Sequence, residues 1–180
     1  MAADALHALD VAVAIRLAES PVADFRTLAA DLSLSVSTAY AAVKRRILAG
    51  SVRPLGTGVG AVNRHALLEV LEHGVRYAFP AAVGATTRCV PTAHSGPVFT
   101  EVMDADDPIV WEDPQGCVVG RALAPLVPHA GRLAERAPRT YAILTAVDAL
   151  RVGRARERDI ARRYARGALR VQPSGHQTQA

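Results

Sequence analysis

The stretch LAADLSLSVSTAYAAVKRR, Leu28 to Arg46, decides how the rest of the chain is read. Leu28 and Ala29 are placed to hold a short helix, from about residue 23 or 24 to Asp31, against a core. LSL, residues 32–34, is too brief for anything but a tight turn, with Leu34 as the plug between two helices. Ser35 is a good N-cap, its hydroxyl able to accept an unpaired backbone N–H. A second helix then spans Val36 to Ala49, and Gly50 supplies the stop. Ala39, Ala42 and Val43 form its inner side. Ser37, Thr38, Tyr40, Ala41 and Lys44 form the other.

Outward from this stretch, Leu6, Leu9, Val13 and Leu17 recur at steps of three and four, which predicts a helix over 4–19 ended by Ser20-Pro21. Downstream, Val52–Leu55 and Val59–Val62 read as short extended pieces around the glycine-rich tip GTGVG. Asn63 caps a helix from Arg64 to His73, with Gly74 as its end. Residues 75–137 are punctuated by seven prolines and read as irregular, with a few short strands, among them Cys117–Val119. Pro138 opens a helix that Gly153 breaks. A last helix covers about Ala155 to Leu169. The tail, 171–180, reads as disordered. The expected class is mainly α, of the α+β kind. A helix-turn-helix domain with a hairpin occupies 1–74, and a mixed region, 75–170, ends in two helices.

Charge is distributed unevenly along the 180 residues. The formal net charge is +4 and the pI about 9.6. Between Asp31 and Glu69 there is no acid, while Lys44, Arg45, Arg46, Arg53 and Arg64 all fall there. Lys44 is the chain's only lysine. From Arg88 to Arg121 the pattern inverts: Glu101, Asp104, Asp106, Asp107, Glu112 and Asp113 lie between with no Lys or Arg. From Arg151 to Arg170 eight arginines face only Glu157 and Asp159. An acid-free basic stretch suits a surface that meets phosphate, since each acid there would repel it.

The order helix, short helix, tight turn, capped helix, hairpin is that of a winged helix-turn-helix. LAADLSLSVSTAYAAVKRRILAGSV resembles the helix-turn-helix of bacterial winged-helix regulators of the MarR/IclR/GntR kind, and the resemblance covers about residues 5–73. It implies a recognition helix at Val36–Lys44, entering the major groove, and a wing at Arg53–Val62. Three departures stand out: Ser33 in the turn slot that often holds glycine, and Arg46 and Ser51 where leucines are usual. Arg46 could snorkel outward from such a site. The residues expected at DNA are Ser35, Ser37, Thr38, Tyr40, Ala41, Lys44, Arg45, Arg46, Arg53 and Arg64. Arg45 would sit on phosphate and Arg53 in a minor groove. The groove face lacks Arg, Asn and Gln, the side chains that make bidentate base contacts, so modest direct readout supplemented by DNA shape is expected. Three to four phosphate-bound cations per protomer of a dimer would give a log K against log salt slope of about −5 to −7.

Other constellations read more simply. GTGVG lacks both GxGxxG spacing and a Walker lysine, and suits a hairpin tip. The tract DADD, with Glu112 and Asp113, could hold a divalent cation or pair with the basic C-terminal helix, but a solvated loop accounts for it. Cys89, beside Arg88 and near His94, would be a redox sensor if its thiol pKa were lowered, alone or with Cys117; inert thiols are the simpler reading. No base, nucleophile and metal cage come together, so no enzyme is expected, and neither is a cofactor or a metal. The expectation is a cytoplasmic, nucleoid-associated regulator without a signal peptide or membrane span, a homodimer and repressor on double-stranded DNA. Its C-terminal region would meet a protein partner or a small-molecule effector. The alternative is a winged-helix adaptor or antitoxin-like partner protein.

Overall fold

The computed structural model describes residues 6–56, 58–100, 106–113 and 115–169. Thr57, Glu101, Asp104, the start of the first expected helix and the tail fall outside these. The molecule is mixed α+β: helices surround a small barrel and a two-residue hairpin.

Helix α1, Ala8–Glu19, starts where the His7 N–H donates to Asp10 Oδ2 at 3.0 Å. Its residues from Asp10 to Ile15 are all buried, because neighbours cover it on several sides. Helix α2, Phe25–Asp31, is capped by Asp24, whose Oδ1 accepts from Arg26 N–H at 2.8 Å and Thr27 N–H at 2.9 Å. These bonds, Thr27's above all, hold the Asp24 carboxyl below its usual range. The turn follows, with Ser33 at φ 54°, the left-handed region that glycine occupies without strain. Ser33 Oγ is buried there with no partner among the described residues.

Helix α3, Val36–Leu48, begins at Ser35, whose Oγ accepts from Thr38 N–H at 3.1 Å. It ends one residue earlier than expected, and Gly50 at φ 69° allows the chain to reverse. Gly50 N–H donates to Ile47 O and Ser51 N–H to Arg46 O, which satisfies two terminal carbonyls in the Schellman pattern. Strands β1, Val52–Arg53, and β2, Ala61–Val62, pair antiparallel, shorter than the expected extended pieces. The tip between them folds back: Val59 N–H donates to Val22 O at 3.1 Å. A side chain on Gly58 (φ 82°) would press on that same carbonyl.

Helix α4, Arg64–Glu69, is capped by Asn63 as expected, but Gly74 does not end it. The helix widens into a π turn over Val70–Gly74 and resumes as α5, Val75–Ala78. The tract expected to be irregular with a few short strands holds β3, Val83–Thr92, β4, Ile109–Glu112, and β5, Val118–Leu123; β5 takes in Val118 and Val119 of the strand expected at Cys117–Val119, while β3 is longer than expected. Strand β3 is antiparallel to both partners, and β4 and β5 touch in parallel over two residue pairs, so the three close on one another. Gly120 is required in this barrel, since a Cβ there would lie 2.4 Å from Pro108 O.

After the short α6, Leu133–Arg136, Pro138 opens α7, Pro138–Val152, and α8 runs Ala155–Ala168. Helix α7 is buried from Ile143 through Arg151 and packs against α1, α8 and the barrel. The apolar core is one cluster running from Val11 to Leu169 across position 74. At its centre Asp148 accepts from Trp111 Nε1 at 2.6 Å, Thr92 Oγ1 at 2.8 Å and Arg151 at 2.6 Å. Arg151 also donates to Phe79 O and Ala124 O. Among the described residues no helix is long and apolar enough to cross a membrane.

Candidate nucleic-acid interface

The expected DNA-contacting residues separate into two groups. Val36, Tyr40, Lys44 and Leu48 form an exposed stripe on α3 with a step of four, and Ser37 is exposed beside it. Thr38 and Ala41 flank that stripe, half-buried. Ser35, Ser37 and Thr38 form a hydroxyl cluster at the helix start, with Ser35 Oγ 3.0 Å from Ser37 Oγ and 2.7 Å from Thr38 Oγ1. Tyr40 is 54% exposed, and its ring meets Phe25 edge-on at 5.3 Å between centroids. That contact ties the ring to α2. Arg53 is exposed on β1, directly after α3.

The remaining cations are committed inside the protein. Arg45 does not reach toward a phosphate. Its Nε donates to Asp10 Oδ2 at 2.9 Å and its terminal nitrogen to Oδ1 at 2.5 Å, a two-pronged pair on a carboxylate with no exposed surface. This hydrogen bonding raises the Arg45 pKa above its ordinary value. Arg46 does not snorkel outward either. It is 5% exposed and makes no hydrogen bond or ion pair among the described residues, and its Nε is enclosed and unpartnered. Burial pulls its pKa down, and the nearby Asp10 charge opposes this. Arg64 is half-buried and donates to Ala18 O at 2.6 Å. The acid-free interval therefore holds fewer surface cations than its composition suggests.

Asp10 is the residue that sequence reasoning passed over. The available signal was a carboxylate at a core position of a helix, because such a group must find a cation. Its partner lies 35 positions away, beyond the reach of local pattern.

The other constellations resolve locally. Cys89 is buried, and burial pushes its thiol up, not down as a redox role would require. Cys117 is exposed and also free. Asp107 pairs with Arg121 at 2.9 Å, while Arg166 of α8 pairs through two bonds with Glu72, outside the acidic tract. Among the described residues no group of three or more His, Cys, Asp or Glu side chains could hold a metal ion. Within GTGVG, Val59 donates its N–H to Val22 O, between the paired strands β1 and β2. No family model matches the chain, and the searches of curated proteins and of solved structures likewise returned no match.

Proposed function

We propose that the chain is a winged-helix transcriptional regulator, a homodimer and repressor, that lays α3 in the DNA major groove with the β1–β2 hairpin on the adjacent backbone or minor groove. The observation that carries this reading is the exposed side of α3. Ser37, Tyr40 and Lys44 stand outward from a helix whose opposite side is buried, and Arg53 is exposed on the strand that follows. Hydroxyls and one cation on a helix give limited base discrimination, so groove shape contributes much of the sequence preference.

With Arg45 and Arg46 withdrawn, Lys44 and Arg53 remain as phosphate contacts, about four in a dimer. The salt slope then falls to about −3 to −4, shallower than composition alone implied. Fluorescence anisotropy on a library of duplexes at several salt concentrations measures this. Lys44→Ala should weaken binding to all duplexes alike and flatten the slope by about 2 in a dimer. Tyr40→Ala should change the order of preferred sequences. A salt-independent signal, or one that neither variant alters, would overturn the reading.

A second reading rests on the same stripe. Val36, Tyr40 and Leu48 are 47%, 54% and 68% exposed, an apolar content that fits a protein partner better than a groove. Under this adaptor reading, Val36→Ser and Leu48→Ser abolish capture of a protein partner, and no duplex binds.

A further inference from the structure

Beneath the C-terminal end of α3 lies a cavity of about 260 Å³. Leu6, Ala49, Ala66 and Val70 make most of its wall aliphatic, and Asp10, Arg45, Arg46 and Ser51 complete it. The charges around it do not cancel. Asp10 is neutralised by Arg45 through both carboxylate oxygens, and Oδ2 also accepts the His7 N–H. Ser51 Oγ is spent on Arg46 O at 3.1 Å. Arg46, 5% exposed, is left with its Nε enclosed and no acceptor among the described residues. A guanidinium offers five N–H donors and cannot discard its charge near neutral pH. Left unpartnered, such a group is costly. Helix α3 therefore carries a destabilising residue at a cavity wall, where an aliphatic side chain would pack without that cost.

We propose that this cavity binds a short-chain aliphatic carboxylate, whose headgroup pairs with Arg46 and whose hydrocarbon body lies against Leu6, Ala49, Ala66 and Val70. The volume accommodates a ligand of about eight or nine non-hydrogen atoms, at the roughly 30 Å³ a water-sized group takes in a liquid. The aliphatic wall selects an apolar body, and the unpaired cation selects an anionic head. Asp10 disfavours a second negative charge nearby, so a monoanion fits better than phosphate. Arg45 and Arg46 are both on α3 and Ser51 follows it directly, so occupancy acts on the helix that the DNA-reading proposal uses. The ligand site itself does not depend on that proposal, and its test contains no DNA.

Titration calorimetry on the full chain compares hexanoate with hexanamide, its neutral counterpart, and with inorganic phosphate. Hexanoate should bind saturably at one site per chain, at least about tenfold tighter than either of the others. Arg46→Met removes the cation at similar volume and should weaken hexanoate binding at least about tenfold, with the free protein as stable as the parent or more so. Ala66→Leu, which fills the cavity and keeps the cation, should abolish binding as well, and it decides the matter if the Met variant does not fold. Equal binding of hexanoate and hexanamide, phosphate binding as tight as hexanoate, hexanoate binding unchanged in the variants, or no hexanoate binding would each overturn the proposal.

Discussion

Arg45 illustrates how one residue can be misassigned by its neighbours in sequence. It stands in a run of three cations at the end of a helix, and in the fold it serves a carboxylate on α1. Arg45→Ala should lower stability by about 3–5 kcal/mol, because it leaves Asp10 buried and charged with its main partner gone. Urea denaturation measures the loss, and the double variant Asp10→Asn with Arg45→Ala should recover a large part of it. The effect belongs to folding, so duplex affinity per folded molecule should change little. Ser33 is the opposite case. Its place in the turn was legible as a departure from glycine, and its φ of 54° shows the strain that departure carries. Ser33→Gly relieves the left-handed backbone and removes an unpartnered buried hydroxyl. It should raise stability by about 0.5–1 kcal/mol, after allowing for the greater freedom of glycine in the unfolded chain.

At the scale of elements, legibility followed the range of the deciding interaction. Ser35, Gly50, Asn63, Pro138 and Gly153 act on their own few neighbours, and the helices they start or end lie within a residue or so of where local chemistry puts them. The continuation through Gly74 was not legible, because a π turn depends on what the two helical pieces pack against. Strand β3 was hidden for a different reason. Its first half, VGATTR, is mostly exposed and made of small or polar residues, so alternation of apolar and polar side chains is absent where the strand begins. The π turn is also where α8 is anchored, through Arg166 on Glu72 at 2.5 and 2.6 Å. Hydrogen bonding from Arg166 holds the Glu72 carboxyl below its ordinary value of 4.5. A lowered folded-state pKa means a stabilisation that is fully present above 4.5 and fades as the pH falls through the folded value. Glu72→Gln should therefore lower stability at neutral pH and reduce its dependence on pH in the acid range. Thermal unfolding of both proteins between neutral and acid pH checks this. Equal pH dependence in the two would show that the pair contributes nothing.

The whole molecule is organised around α7 and the buried carboxylate it carries. Burial pushes the Asp148 carboxyl up, and Arg151, Thr92 and Trp111 all act to keep it ionised. These partners come from β3, β4 and α7 itself, so one side chain joins the barrel to the helix. Asp148→Asn should cost about 3 kcal/mol or more, since Arg151 would keep its charge at 4% side-chain exposure without a counterion. Trp111 is the chain's only tryptophan. Its fluorescence should shift in the same variant, because the indole N–H loses a carboxylate acceptor. An unshifted emission with unchanged stability would contradict the account.

Helix α1 is shared property. Asp10 holds Arg45, Arg16 holds Asp31, and Glu19 accepts the Thr140 hydroxyl at 2.6 Å, so its polar side chains reach α3, α2 and α7 in turn. Its apolar sides serve α3 and α7 together. A wall common to two rooms cannot be taken down from one side. Protease treatment should therefore give no long-lived fragment ending near residue 74: a cut that frees α7 from α1 should expose α3 to digestion at the same rate. By the same token, any force that displaces α7, from a partner or a crowded surface, arrives at α3 without needing a separate messenger.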